Sequence, residues 1–158
     1  MVTTRTARPQ EHPAFDDLVR GAGLPLDGLD SVPHRLVAEE SGSMVGVAAL
    51  ERHGDGAGTA FLLRSVVTRP DRRGLGVGAA LTRAALAIVD EAAAPVALLT
   101  ETADAYFPRF GFHEVQRGEL PPALSASEEL RGACAVSARA LLREVRRQAP
   151  TPPVVTTA

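Results

Sequence analysis

Two periods of apolar spacing run through this chain, and they place its elements. Val2 to Ala7 alternates loosely and reads as a first strand. Glu11 to Ala22 sets Phe15, Leu18, Val19 and Ala22 at helical spacing and stops at Gly21-Ala22-Gly23, which predicts a helix. Leu24 to Val32 is rich in turn residues and reads as a connection or a short second helix. Arg35 to Glu40 and Met44 to Arg52 are strand-like runs on either side of Ser41-Gly42-Ser43, a three-residue hairpin connection. The Gly54-Asp55-Gly56-Ala57-Gly58 turn leads into a third strand, Thr59 to Val67, so that an antiparallel meander is expected.

A longer helix should run from the glycines near residue 76 to about Ala92, with Val77, Leu81, Ala85, Ile88 and Ala92 on one face. Pro95 stops it. Val96 to Leu99 is wholly apolar, as expected of a strand covered on both sides in a parallel pairing. Asp104 to Phe110 suggests a brief helix closed by Gly111. Phe112 to Gln116 begins another strand, Pro121-Pro122 breaks the pattern, and Ala135 to Leu142 supplies a last strand. Residues 1–145 are read as one domain, and 146–158, with three prolines and little apolar content, as a disordered tail.

Composition narrows the function classes. The chain has 158 residues, 45% of them hydrophobic and 23% charged, which is ordinary for a globular domain. A net charge of −2 argues against a general nucleic-acid binder. All 17 basic residues are Arg, so Schiff-base chemistry and a Walker-type phosphate lysine are excluded. The single Cys, Cys134, suits a reducing compartment, and a cytoplasmic location is expected. The polar start with Pro9 and Pro13 does not read as a signal peptide, and no apolar run is long enough for a membrane span. His34, His53 and His113 are dispersed, without metal-ligand spacing.

The most chemical segment is Arg72-Arg73-Gly74-Leu75-Gly76-Val77-Gly78, set between the apolar run Phe61 to Val67 and the start of the long helix. Glycines let a ligand approach the backbone closely. The first N–H groups of a helix lack internal partners, and two guanidinium groups add charge, so the segment favours a phosphate-bearing ligand.

Two motifs in order carry a resemblance. Arg73 to Gly78 matches the Q/R-x-x-G-x-G/A loop, and Tyr106-Phe107-Pro108-Arg109-Phe110-Gly111-Phe112 is similar to an aromatic helix closing on Gly-Phe. With the element order, these features resemble the GNAT superfamily of N-acetyltransferases over roughly residues 2 to 144. The resemblance implies an α/β (α+β) fold with a mostly antiparallel central sheet of about six or seven strands, flanked by helices, with a bulged central strand. Leu98 to Ala103, Glu119-Leu120-Pro121, Ser127 to Leu130, Cys134 and Ser137-Ala138 look like the arsenic-resistance branch, and the same half is similar to glutamate-acetylating enzymes. Both imply a small, amino-acid-like amine acceptor. Related proteins are often dimers, and the residues here leave the oligomeric state open.

The resemblance also assigns roles. Acetyl-CoA is the implied donor, its pyrophosphate on Arg72, Arg73, Gly74, Leu75, Gly76, Val77 and Gly78. Its pantetheine arm would lie along the main chain of Ser65, Val66, Val67 and Thr68, where an N–H near Val66 or Val67 could meet the oxyanion of acyl transfer. Many relatives carry a tyrosine that protonates the leaving thiolate; the aligned residue here is Phe107, placed with the cofactor set, and Tyr106 stands one position earlier. Tyr106 is a candidate acid, with core packing as the competing reading. Glu51 and Glu101 are candidate bases acting through water, each competing with a role as a solvated strand-end charge. Cys134 lies near the same site or is a buried small hydrophobe. Arg109 and Arg117 are candidates for an acceptor carboxylate, with surface exposure as the alternative.

Two other functions compete. Gly74-x-Gly76-x-x-Ala79 satisfies a relaxed dinucleotide fingerprint. Six residues, Thr68 to Arg73, separate it from its strand, and too little chain follows for a doubly wound sheet. A non-catalytic acetyl-CoA-binding regulatory module is the other alternative.

Overall fold

The computed structural model describes residues 1–146, so the expected tail lies, from residue 147, outside the described residues. In chain order the elements are β1 (Thr3–Thr6), α1 (His12–Gly21), β2 (His34–Glu40), β3 (Ser43–His53), β4 (Ala60–Thr68), α2 (Val77–Glu91), β5 (Val96–Thr100), β6 (His113–Val115) and β7 (Arg139–Arg143), with short 3-10 turns between them and a π-helical turn at Glu129–Ala133. One sheet takes the strands in the order β1-β2-β3-β4-β5-β7-β6. Among the described residues β4 with β5 is the parallel pair, and the other neighbouring pairs are antiparallel. The fold is therefore the mixed, mostly antiparallel sheet flanked by helices that the family resemblance implied.

Burial on both faces explains why β3 and β4 are almost wholly apolar. Leu36, Ala48, Leu50, Phe61 and Leu63 meet Val77, Leu81, Ala85 and Val89 of α2 on one face. Val37, Val47, Ala49 and Val67 meet Phe15 and Val19 of α1 on the other. Further along that second face, Ala60, Leu62, Ala97 and Ala140 pack under Leu120 and Leu124 from the β6–β7 connection.

Several boundaries differ from the sequence expectation, each for a local reason. The β2–β3 hairpin has a two-residue turn, since Glu40 pairs with Ser43. Ser41 (φ 52) and Gly42 (φ 79) both take the left-handed region that such turns require. On α2, Leu86 and Val89 are buried where Ile88 and Ala92 were expected. Val77, Leu81 and Ala85 belong to both sets, and the buried stripe extends from them round the helix toward Thr82, Leu86 and Val89, the side that faces the sheet. Asp104 to Phe110 is a turn followed by a 3-10 segment, Phe107–Phe110, where Pro108 offers no N–H. Gly111 (φ 96) closes it as expected. β7 starts at Arg139, because the Ala138 N–H donates back to the Ala135 carbonyl as a turn.

Two features position the site. In β4, Val67 pairs with Val47 and Arg64 with Ala49, so Ser65 and Val66 together stand opposite Ala48. This is the expected bulge, and Ser65 there has φ 58. The extra residue reverses the alternation: Ala60, Leu62 and Arg64 share a face, and Val67 rather than Val66 returns to it. Gly46 is the second feature. A β-carbon there would meet Val77 Cγ1 at 2.7 Å and the Val67 carbonyl at 3.0 Å, so only glycine seats the first turn of α2 this close to β3. At the far end, buried Arg143 donates to both Asp90 oxygens (2.8 and 3.1 Å) and to the Phe110 carbonyl (3.0 Å). That contact holds Asp90 below the usual carboxylate range.

Candidate active site

The glycine loop becomes the start of α2 through conformation rather than crowding. Gly74 (φ 79) and Gly76 (φ 84) occupy the left-handed region, yet a β-carbon on either would meet nothing within 4 Å. Gly76 is the N-cap, Val77 is buried as the anchor and Leu75 is 63% exposed. The first internal bond is Ala80 N–H to the Gly76 carbonyl, which leaves the amides of Val77, Gly78 and Ala79 as helix-start donors.

The three neighbouring arginines differ in their engagements. Arg69 is held by both oxygens of Asp71, at 2.6 and 3.0 Å. Arg72 Nη1 lies 3.5 Å from Glu40, and its buried Nε has no partner among the described residues. Arg73 is exposed and forms no ion pair among the described residues.

β4 and β5 then diverge. Among the described residues they pair at Phe61–Val96 and Leu62–Ala97, and beyond these the strand partner of β5 is β7. The result is a wedge between the bulged half of β4 and the Leu98–Thr100 end of β5. Val66 and Thr68 are half-buried at it, and Val67 is core.

Tyr106 reaches the same place. A β-carbon on Gly78 would lie 3.6 Å from Thr68 Oγ1 and 3.7 Å from the Tyr106 hydroxyl, so three segments converge there. The half-buried Tyr106 ring is edge-on to Phe107 (5.2 Å between centroids) and lies under the Arg109 guanidinium at 4.4 Å. Phe107, expected at the cofactor, turns its ring into the core against Phe110 and Phe112. A 3-10 period of three residues explains the exchange, since it groups Phe107 with Phe110 and Tyr106 with Arg109.

On the α1 side of the sheet lies a polar group between two apolar clusters. The Arg64 side chain is 0% exposed. Its Nη1 donates to Glu51 Oε2 (3.0 Å) and the Asp27 carbonyl (2.6 Å), and its Nη2 to the Pro25 carbonyl (2.8 Å). Its Nε is 3.3 Å from both Ser65 Oγ and Glu129 Oε1. The other Glu51 oxygen lies 2.7 Å from His53 Nε2. A cavity lined by Gly28, Ser31, Glu51, His53 and Glu128 opens beside them.

Burial pushes Glu129 up to about 7, with Glu51 adding to the rise and Arg64 opposing it. Burial and the neighbouring Glu129 push the Cys134 thiol up to about 11. Neither Arg64 nor Glu129 stood out in the sequence, although one charge inside the apolar run Phe61 to Val67 was a usable signal. Glu101 does not join Glu51; it is exposed and accepts from Ser137 Oγ at 2.9 Å. Arg117 is committed to the Ala135 and Ala138 carbonyls (3.0 and 3.1 Å), and Arg109 to Tyr106.

Residues 33–114, more than half of the chain, match the family described as the acetyltransferase (GNAT) domain, and the chain belongs to that family. No curated protein sequence matches it. Among solved structures it is similar to N-acetylglutamate synthase from Neisseria gonorrhoeae complexed with coenzyme A and N-acetyl-glutamate, with TM-score 0.77 and 19% identity. That likeness covers 93% of this chain and 36% of the synthase, so the chain spans about a third of that protein. It is similar to a GNAT family acetyltransferase from Staphylococcus aureus Mu50 (TM-score 0.71, 15% identity, 92% and 100% covered). A third likeness is to a GNAT family acetyltransferase from Brucella melitensis in complex with acetyl-CoA (TM-score 0.60, 26% identity, 72% and 83% covered). Among the described residues no helix is long and apolar enough to cross a membrane.

Proposed function

We propose that this acetyltransferase takes acetyl-CoA as donor and passes the acetyl group directly to the amine of a small, amino-acid-like acceptor. One observation carries the reading: the bulge of β4, the start of α2 and the Tyr106 hydroxyl meet at a single wedge in the sheet. The residues fit the donor chemically. Arg73 and the amides of Val77 and Gly78 suit a pyrophosphate. The β5-facing edge of β4 from Ser65 to Thr68, which has no strand partner among the described residues, suits an amide-bearing arm laid alongside it. The gonococcal and Brucella structures, solved with coenzyme A and acetyl-CoA, support the same donor.

In the transfer, the amine nitrogen bonds to the thioester carbon, the C–S bond breaks, and the amine proton is lost as the thiolate gains one. A main-chain N–H of the bulge faces the developing oxyanion. Tyr106 supplies the proton to the thiolate. Glu51, held by Arg64 and His53 beside the cavity, takes the amine proton through water. Cys134 stays a thiol at neutral pH, which suits direct transfer and not an acetyl-cysteine intermediate. The likeness to the arsenic-resistance branch makes an arsenical amine one acceptor to include. Sequestration of arsenic is not proposed, because the chain has a single Cys.

The test is a thermal-shift series with acetyl-CoA, CoA and NADH, then a thiol-release assay over amino acids, other small amines and arsenical amines. Stabilisation by the CoA species and thiol release with one acceptor class are expected. Stabilisation by NADH alone would overturn the donor assignment.

A further inference from the structure

We infer that Arg64 is a positioning residue that holds the β4 bulge in its transfer-competent shape and ties the Pro25–Asp27 and β6–β7 connections to it. The inference rests on the acetyl-CoA reading above. A charge in this place needs an explanation, since Leu62 and Val67 continue the same face as plain core and burying a guanidinium is costly unless every donor is met. Here the donors are met by four separate segments. These are the Pro25–Asp27 connection, Glu51 of β3, Glu129 of the β6–β7 connection, and the side chain of the adjacent Ser65.

Ser65 is the residue that needs holding. Its φ of 58 is one that an L-residue keeps only where its surroundings enforce it. On its C-terminal side Val67 is locked into the core. On its N-terminal side the lock is Arg64, whose side chain is fixed from three directions. Gly28, at φ 76, completes the fit: a β-carbon there would meet Glu128 Cγ at 3.2 Å and Arg64 Nη1 at 3.6 Å, so the connection closes over the guanidinium. A lysine at this position would keep the charge and lose the planar fork that reaches acceptors in several directions at once.

The geometry sets a specific readout. If Arg64 fixes the bulge amides toward the acetyl carbonyl, it contributes to binding of acetyl-CoA beyond CoA and leaves the shared nucleotide contacts alone. Dissociation constants for acetyl-CoA and CoA are to be measured by calorimetry on the wild type, Arg64→Lys and Arg64→Met, with circular dichroism as the folding control. Wild type should prefer acetyl-CoA by about fivefold, the worth of one hydrogen bond. Both variants should fall to near equality, with CoA affinity changed by less than about twofold. A folded variant that keeps the full preference overturns the inference. Should both variants fail to fold, Ser65→Ala removes only the oxygen that Arg64 Nε approaches, and an unchanged preference there overturns it as well. Wild type that binds neither molecule overturns the donor assignment itself, which separates the two failures.

Discussion

Glu129 and Arg64 meet at 3.3 Å, yet the guanidinium does not keep that carboxyl in its ordinary range. Arg64 faces two carboxylates. Glu51 takes Nη1 at 3.0 Å and adds negative charge beside Glu129, while burial removes the water that would otherwise stabilise it.

Stability should therefore depend on pH through Glu129. Its folded value of about 7 lies above the usual 4.5, so the native state holds the proton more tightly than the unfolded chain. That contribution is complete below about pH 4.5 and is lost as pH rises through about 7. Urea denaturation from about pH 5 to 8 should show wild type losing on the order of 2 kcal/mol relative to Glu129→Gln. A wild-type-minus-variant difference that stays flat would refute the assignment.

Arg73→Ala should raise the KM for acetyl-CoA about tenfold while moving the acceptor KM little, because an exposed guanidinium beside helix-start amides contributes one charge-assisted contact. Arg69→Ala is the control. Asp71 already occupies Arg69 with two contacts, and a change below about twofold is expected. Steady-state kinetics with each substrate varied in turn decides, and equal effects of the two variants would count against the loop assignment.

Tyr106→Phe keeps the ring against Phe107 and Phe110 and removes only the hydroxyl near Gly78 and Thr68. The expected result is a drop in kcat of about a hundredfold with an unchanged melting temperature. Loss of stability with unchanged kcat would return Tyr106 to a packing role.

Cys134→Ala should retain activity within about twofold, since a thiol raised to about 11 is almost wholly protonated at neutral pH. The native protein should also alkylate far more slowly with iodoacetamide than the unfolded chain does. Rapid labelling of the folded protein, or an inactive variant, would reopen a covalent route.

Gly46→Ala should destabilise the fold by about 1–3 kcal/mol, because the new methyl meets Val77 Cγ1 at 2.7 Å and the rigid Val67 carbonyl. Chemical denaturation measures it. Weakened CoA binding should accompany the loss, as the first turn of α2 is displaced.

What could be read from the residues followed how local the cause was. The glycine loop was legible because Gly74 and Gly76 carry their positive φ in a short run that opens an apolar helix. The bulge at Ser65 and Val66 came with the family likeness, since no local signal separates it from an ordinary strand. The Phe107–Tyr106 exchange turned on whether the aromatic segment winds with 3.6 or three residues per turn, which Pro108 influences and composition does not reveal. The Arg64 group was out of reach for another reason. Its partners at Pro25, Asp27, Glu51 and Glu129 come together only once the sheet and two connections have formed. Glu51 and Glu101 looked alike as strand-end acids, and burial and partners that the folded chain supplies set them apart.

Among the described residues β4 and β5 are joined by two residue pairs, Phe61–Val96 and Leu62–Ala97. The sheet is in effect two leaves on a short spine, β1 to β4 in one and β5, β7 and β6 in the other. On the proposed reading, a donor lying between the leaves would touch both, and would serve as a strut as well as a reactant.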